Sequence, residues 1–216
     1  ILFTMSMVIL LIGTFERLKK YVFHLTILSV FSASLISVNY LSTDSLLLFD
    51  SAIIKNNVTE FFKYICYFIF LIQIIISKDY LKQKNLISGE FYSLLIFALL
   101  GCFIIISSNN LIVLFLGIEL SSLSLYSLIA LNKSSFLSSE AAIKYFVLSI
   151  IASAIILFGF SYLYGISNSI IILDIATYAN NNEISNLYLF SYVFIFIGVA
   201  FKFAVAPFHM WLPDVY

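Results

Sequence analysis

Long apolar runs broken by short polar connections recur along the whole chain, and their lengths predict membrane-crossing helices better than core helices. Seven such segments can be drawn, at about residues 1–13, 21–38, 61–76, 91–106, 109–132, 140–164 and 187–207. The first is short enough to read as a truncated span. Residues 107–110, Ser-Ser-Asn-Asn, predict a tight turn between the fourth and fifth segments. Ser138 or Ser139 is a candidate cap for the start of the sixth, and Gly165 for its end. The pattern predicts an all-α, polytopic transmembrane bundle of about seven spans.

Composition strengthens this picture. Of 216 residues 62% are hydrophobic and 10% charged, far below the roughly 25% charge of a soluble domain. The formal net charge of zero removes any electrostatic case for nucleic acid binding. Cys66 and Cys102 both sit inside apolar runs and read as small buried hydrophobes. Arg17 is the sole arginine, while Phe, Ile, Leu, Tyr, Asn, Lys and Ser abound. That is the bias of AT-rich codons, expected of an organellar genome or an AT-rich bacterium.

Charge in the connections predicts an orientation. Connections one, three and five hold Arg17, Lys19, Lys20, Lys78, Lys82, Lys84 and Lys133, whereas connections two, four and six hold only Lys55. The positive-inside rule then puts the odd connections on the cytoplasmic or matrix side and the N-terminus outside. Connection two, with Asp44, Asp50 and Glu60, and connection six, with Asp174 and Glu183, read as polar outer loops.

Three ionisable residues within the spans carry the candidate chemistry. Glu119 lies roughly 14 Å below Asn110, near the centre of a hydrocarbon layer about 30 Å thick. From there a glutamate cannot reach water. It must be protonated, paired or beside internal water, because an isolated charge at mid-bilayer costs about 3 kcal/mol even on the lenient insertion scale. Ser121, Ser122, Ser124 and Ser127 favour burying its helix against other helices. Lys144 follows Glu140 at the favourable i, i+4 spacing, and either snorkels to the interface or acts in the interior. Ser149 and Ser153 form a small-residue face suited to close packing.

Lys202 shares a helical face with Gly198 and Ala206, ahead of Pro207 and Pro213. A proline-interrupted helix at membrane depth is tolerated inside protein or beside a wet cavity, where transporters place ion sites. The alternative is that the helix ends at Pro207, Lys202 snorkels, and His209 and Trp211 form an interfacial belt. Three unpaired mid-membrane charges would cost roughly 9 kcal/mol, comparable to the stability of a whole domain. Pairing Glu119 with Lys202 follows, and such a pair titrates as a unit.

Three motifs carry a family resemblance: Ser-Asn-Asn-Leu-Ile-Val-Leu-Phe-Leu-Gly-Ile-Glu-Leu-Ser-Ser-Leu-Ser-Leu-Tyr at 108–126, Glu-Ala-Ala-Ile-Lys-Tyr-Phe-Val-Leu-Ser at 140–149 with Leu-Phe-Gly at 157–159, and Phe-Lys-Phe-Ala-Val-Ala-Pro-Phe-His-Met-Trp-Leu-Pro-Asp-Val-Tyr at 201–216. Together they resemble subunit 2 of the proton-pumping NADH:ubiquinone oxidoreductase, respiratory complex I. More distantly, they are similar to its other antiporter-like subunits and to multi-subunit sodium/proton antiporters. The match is strong from about residue 81 onward.

The resemblance implies that Glu119, Lys144 and Lys202 form a proton relay within a half-channel. Ser122, Tyr126, Pro207 and His209 would support it. It also implies one half of an inverted-repeat antiporter-like fold, with residues 1–90 as peripheral helices one to three, residues 91–216 as the half-channel unit of helices four to seven, and a seventh helix interrupted near Pro207. The chain would bind no cofactor itself; FMN, iron–sulfur clusters and ubiquinone would reside in other subunits. The expected partners are membrane lipids, the other membrane-arm subunits and a separate polypeptide that supplies the second half. The expected location is the mitochondrial inner membrane, N-terminus toward the intermembrane space. Two rivals are a subunit of a multi-subunit sodium/proton antiporter and a structural remnant that supports assembly without pumping.

Overall fold

Each of the seven apolar segments forms a helix in the computed structural model, which describes residues 1–39, 45–84, 88–132, 135–181 and 185–215. Asp44, Lys133, Glu183 and Tyr216 lie outside the described residues, as does the side chain of Asp214. In chain order the segments are α1 (Leu2–Thr14), α2 (Lys19–Asn39), α3 (Asn57–Gln83), α4 (Gly89–Ser107), α5 (Leu111–Ile129), α6 (Phe136–Ser167) and, after a short α7 (Ile172–Asn181), α8 (Asn186–Lys202). A single turn, α9 (Leu212–Val215), closes the described chain. Helices α2 to α6 are long and apolar enough to cross a membrane; α1 and α8 are shorter apolar helices of 13 and 17 residues. The protein is a multi-pass membrane protein.

Several boundaries differ from the sequence expectation for local reasons. Helix α3 runs 27 residues because Asn56 and Thr59 form a capping box ahead of the apolar stretch. Ser135, not Ser138 or Ser139, caps α6 by accepting from the Ser138 N–H. That helix passes through Gly165 and ends at Asn168, whose left-handed backbone (φ 52°) supplies the cap. The outer connections are not plain loops. Connection two folds into an antiparallel hairpin of β1 (Leu46–Leu48) and β2 (Ile53–Lys55), and connection six contains α7, which buries Ile175. At the C-terminal end α8 stops at Lys202, five residues before Pro207, so Ala206 does not share its face with Gly198 and Lys202.

Glycines set the closest helix contacts, where a side chain on either partner would collide with backbone. A Cβ on Gly13 would lie 2.3 Å from the Gly89 Cα, which joins the end of α1 to the start of α4. Gly101 faces Ser121, with 2.7 Å from such a Cβ to the Ser121 backbone nitrogen, and so locks α4 to α5. Across α6 and α8, Gly159 meets the Ser191 carbonyl and Gly198 meets the Ala152 carbonyl, both under 3 Å, so the two helices run antiparallel in backbone contact. Apolar side chains fill three clusters: one among α1 to α4, one among α5 to α8, and an aromatic group of Tyr126, Tyr145 and Trp211.

Asn109 ties the even-numbered connections together at one end of the bundle. Its backbone N–H donates to Ala52 and its carbonyl accepts from Ile172, each at 2.8 Å. The side-chain amide donates to the Ser51 carbonyl at 2.8 Å and accepts from the Leu173 N–H at 3.3 Å. Buried backbone groups need such partners, and one asparagine supplies them to three loops at once. Connections two, four and six therefore share one side, as the charge pattern requires.

Candidate functional site

Glu119 occupies the ninth position of the 19-residue α5, at its middle. The Gly117 and Ser121 face of α5 is taken up by α4, which leaves Glu119, Ser122 and Tyr126 turned toward α6 and α8. On the other side, the Gly198–Ala152 contact fixes the register of α8. One turn later Lys202 falls beside Ser149, one turn before Ser153 on the antiparallel α6.

The side chains converge on one ammonium. Lys202 Nζ donates to Glu119 Oε1 at 3.0 Å, to Ser122 Oγ at 2.9 Å and to Ser149 Oγ at 3.2 Å. A lysine ammonium has three protons, and each has an acceptor here. Ser122 remains free to accept because its own proton goes to the Ile118 carbonyl at 2.7 Å. Ser153 has one proton and two acceptors within reach, Glu119 Oε1 and the Ser149 carbonyl. The lysine and glutamate side chains retain 15% and 20% of their exposure, so the pair is enclosed without being sealed.

An aromatic plug lies beneath this cluster. Tyr126 packs edge-on against Tyr145 at 4.8 Å, and Tyr145 stacks on Trp211 at 4.7 Å with ring planes 14° apart. The chain after α8 thus folds back, and Trp211 is buried against α6. Trp211 is no interfacial anchor. The buried Tyr126 hydroxyl and Trp211 indole nitrogen make no hydrogen bond among the described residues.

The structure therefore brings together Glu119, Lys202, Ser122 and, one turn away, Tyr126. It does not bring in the other three. Lys144 pairs with Glu140 at 3.0 Å on an exposed face of α6, each side chain more than 40% exposed. Pro207 and His209 are exposed in the turns after α8. Ser149 and Ser153 are the residues whose part the sequence understated. They read as a packing face, and their one-turn spacing was the signal that also points two hydroxyls at the ion pair. Among the described residues no three His, Cys, Asp or Glu side chains gather as a metal site would require.

Magnitudes say what such a pair can do. At an effective dielectric near 20, opposite charges 3 Å apart attract by about 5 kcal/mol. Removing each ion from water costs on the order of several kcal/mol. Charged and neutral forms are thus close in energy, and a small change in separation or hydration moves the proton.

A family model described as "NADH:quinone oxidoreductase/Mrp antiporter, TM" matches residues 108–216, the part of the chain that holds the whole cluster. The chain belongs to this family. It is 37% identical to the NADH-quinone oxidoreductase subunit N of Ruthia magnifica, over 97% of this chain and 44% of that protein. With the subunit N of Thiobacillus denitrificans it shares 38% identity, over 92% of this chain and 41% of that one. The chain thus spans less than half the length of these relatives. Among solved structures, respiratory complex I from Thermus thermophilus superposes with a TM-score of 0.76 at 26% identity, covering all of this chain and 47% of that one. The Mrp complex from Dietzia sp. shares the fold, with a TM-score of 0.78 at 17% identity over all of this chain and 41% of its counterpart.

Proposed function

We propose that this chain works in the membrane arm of a proton-translocating NADH:quinone oxidoreductase, where Glu119 and Lys202 hand a proton between them. The observation that carries the reading is the Lys202 ammonium held by Glu119, Ser122 and Ser149 at the middle of α5. When the pair closes, both groups are held charged. When it opens or loses water, desolvation returns the proton from lysine to carboxylate, or releases it to the next acceptor. Ser153 steadies the carboxylate, and the Tyr126 hydroxyl offers a further proton-bearing group beside the serines. Lys144, paired with Glu140, modulates the field at the entrance from the exposed face of α6.

The names of the relatives support the assignment of electron transfer to partners. FMN, iron–sulfur clusters and quinone belong to other subunits in this reading, and this chain binds none of them. Its neighbours are the other membrane-arm subunits and lipids. The codon-biased composition fits the mitochondrial inner membrane, and the cations of the odd connections put the N-terminus on the intermembrane-space side; relatives from bacteria support the equivalent plasma membrane as the second location. The relatives carry roughly as much chain again, and a second inverted half would cover the exposed faces of α6 and α8. Intact-mass measurement of the purified subunits tests the expectation that this half is a separate polypeptide.

Glu119→Gln in the assembled complex is the primary test. Dye-detected proton uptake per NADH oxidised should fall, and unchanged uptake would remove the carboxylate from the pathway. A sodium/proton antiporter role is the second reading, because the family description names an Mrp antiporter beside the oxidoreductase. Copurification with flavin and iron–sulfur proteins discriminates between them. A purely structural role predicts that assembly suffers in the Glu119 and Lys202 variants while pumping per assembled complex does not.

A further inference from the structure

Ser153 differs from the other serines around the ion pair in where its proton can go. Ser122 and Ser124 on α5 each give theirs to a carbonyl one turn back on the same helix, Ile118 and Leu120, at 2.7 and 2.8 Å. That back-bond is the ordinary fate of a serine inside a helix. Ser153 has it too, to the Ser149 carbonyl at 2.8 Å, and has in addition Glu119 Oε1 across the interface between α5 and α6. A hydroxyl carries a single proton, so the two acceptors compete for it. Ser149 and Ser153 are both buried, which keeps bulk water out of that competition. The carboxylate, in turn, is held at one point. Lys202 and Ser153 both donate to Oε1, and Oε2 makes no hydrogen bond among the described residues.

We propose that Ser153 is a charge-sensing latch: a positioning residue that holds the Glu119 carboxylate while it is ionised and releases it once it is protonated. The inference rests on the proton hand-over proposed above. A hydrogen bond to an ionised acceptor is roughly twice as strong as one to a neutral acceptor, so the anionic Oε1 outcompetes the Ser149 carbonyl. When the proton passes from Lys202, an N–H bond breaks, an O–H bond forms on Oε1, and both groups become neutral. The advantage of Oε1 is then gone. The Ser153 hydroxyl turns about its Cα–Cβ bond to the Ser149 carbonyl, with no change in the helix backbone. The neutral amine keeps two protons, and Ser122 and Ser149 accept both, so the lysine stays in place while the acid leaves. The freed carboxyl delivers its proton from Oε1 to the next acceptor, and its new charge draws the hydroxyl back. A carboxylate without its proton stays latched to the lysine, which gives the relay an order of events.

The test is Ser153→Ala in the intact complex, a change that removes one hydroxyl and suits a helix. Infrared difference spectra between the NADH-reduced and oxidised complex report the carboxyl and carboxylate bands of Glu119, assigned by their loss in Glu119→Gln. In Ser153→Ala the carboxylate band should shift, because the ionised form has lost a donor, while the band of the protonated carboxyl should stay where it is. Proton uptake per NADH oxidised should fall in vesicles while NADH oxidation continues. A shift of both bands would overturn the proposal, since Ser153 would then hold the acid in either state. Two unmoved bands would overturn it as well, as would an unchanged uptake ratio in a complex that merely assembles less well. If Glu119→Gln lowers uptake and Ser153→Ala moves neither band, the latch alone fails; if Glu119→Gln leaves uptake unchanged, the relay fails and the latch with it.

Discussion

Glu119 and Lys202, 83 residues apart in sequence, meet at 3.0 Å between two helices of the bundle that are not sequence neighbours. The pair exists because α6, standing between them in the chain, presents Ser149 and Ser153 to both. Removing one partner leaves the other as an enclosed, uncompensated charge, at a cost of about 3–5 kcal/mol where the charge persists. Glu119→Gln and Lys202→Met should each lower the yield of assembled complex on native gels. The double variant should assemble better than either single one and still fail to pump. A double variant as poorly assembled as the sum of the singles would mean that the two charges do not compensate one another.

The α6–α8 glycines hold the register that makes this pair possible. A Cβ on Gly198 would sit 2.8 Å from the Ala152 carbonyl oxygen and 2.5 Å from Ile156 Cγ1. Gly198→Ala should therefore push the helices apart at a cost of about 1–3 kcal/mol and draw Lys202 away from Ser149. Gly165→Ala is the matched control on the partner helix α6, since nothing lies within 4 Å of its Cβ position. It should be neutral or slightly stabilising, given the low helix propensity of glycine. Thermal inactivation of the two variants, measured side by side, checks the contrast.

The seven apolar helices, five of them long enough to span, and the acid–lysine pairing were legible because each rests on a rule that is local or energetic. An apolar run must cross or be buried, and a charge at mid-bilayer must find a partner. Where helices begin and end was less legible. Asn56 and Ser135 cap with side chains that sit outside the apolar run, so hydropathy alone starts α3 and α6 late. The place of Lys144 was open in sequence because Glu140 at i, i+4 serves a surface pair as well as an interior one. Trp211 could not be placed either. Its burial depends on the turn after Lys202 folding back onto Tyr145, a long-range contact that no periodicity encodes.

Asn109 offers a test of the loops without touching the ion pair. Asn109→Ala removes both side-chain bonds and leaves the Ser51 carbonyl and Leu173 N–H without them. The expected destabilisation is about 1–3 kcal/mol, concentrated locally. Hydrogen exchange should rise in residues 46–55 and 170–173 and stay unchanged in the middle of α5. Uniform acceleration throughout the bundle would show that Asn109 supports the fold as a whole and not the loop junction.

Lys144 and Lys202 should respond differently to the same change. The Lys144–Glu140 bridge is largely exposed, and exposed bridges contribute about 0–1 kcal/mol before screening is considered. Lys144→Gln should leave assembly intact and reduce proton uptake only in part, whereas Lys202→Gln should abolish uptake. Equal losses of uptake from the two variants would place Lys144 inside the pathway.

The stack of Trp211 on Tyr145 should matter to the site through position alone. Trp211 is 6% exposed, and its ring completes the aromatic group under Ser149 and Ser122. Truncating a buried tryptophan costs about 3–5 kcal/mol, most of it from lost packing. Trp211→Ala should therefore release the segment after α8 and open the Glu119–Lys202 pair to solvent from that side. Trp211→Phe keeps a ring against Tyr145 and should restore most of the loss. Limited proteolysis reads the first effect as new cleavage within residues 203–212, and proton leak across vesicles in the absence of NADH reads the second. If Trp211→Ala cleaves without leaking, the aromatic group anchors the chain but does not seal the pair, and the barrier to protons lies elsewhere along α6 and α8.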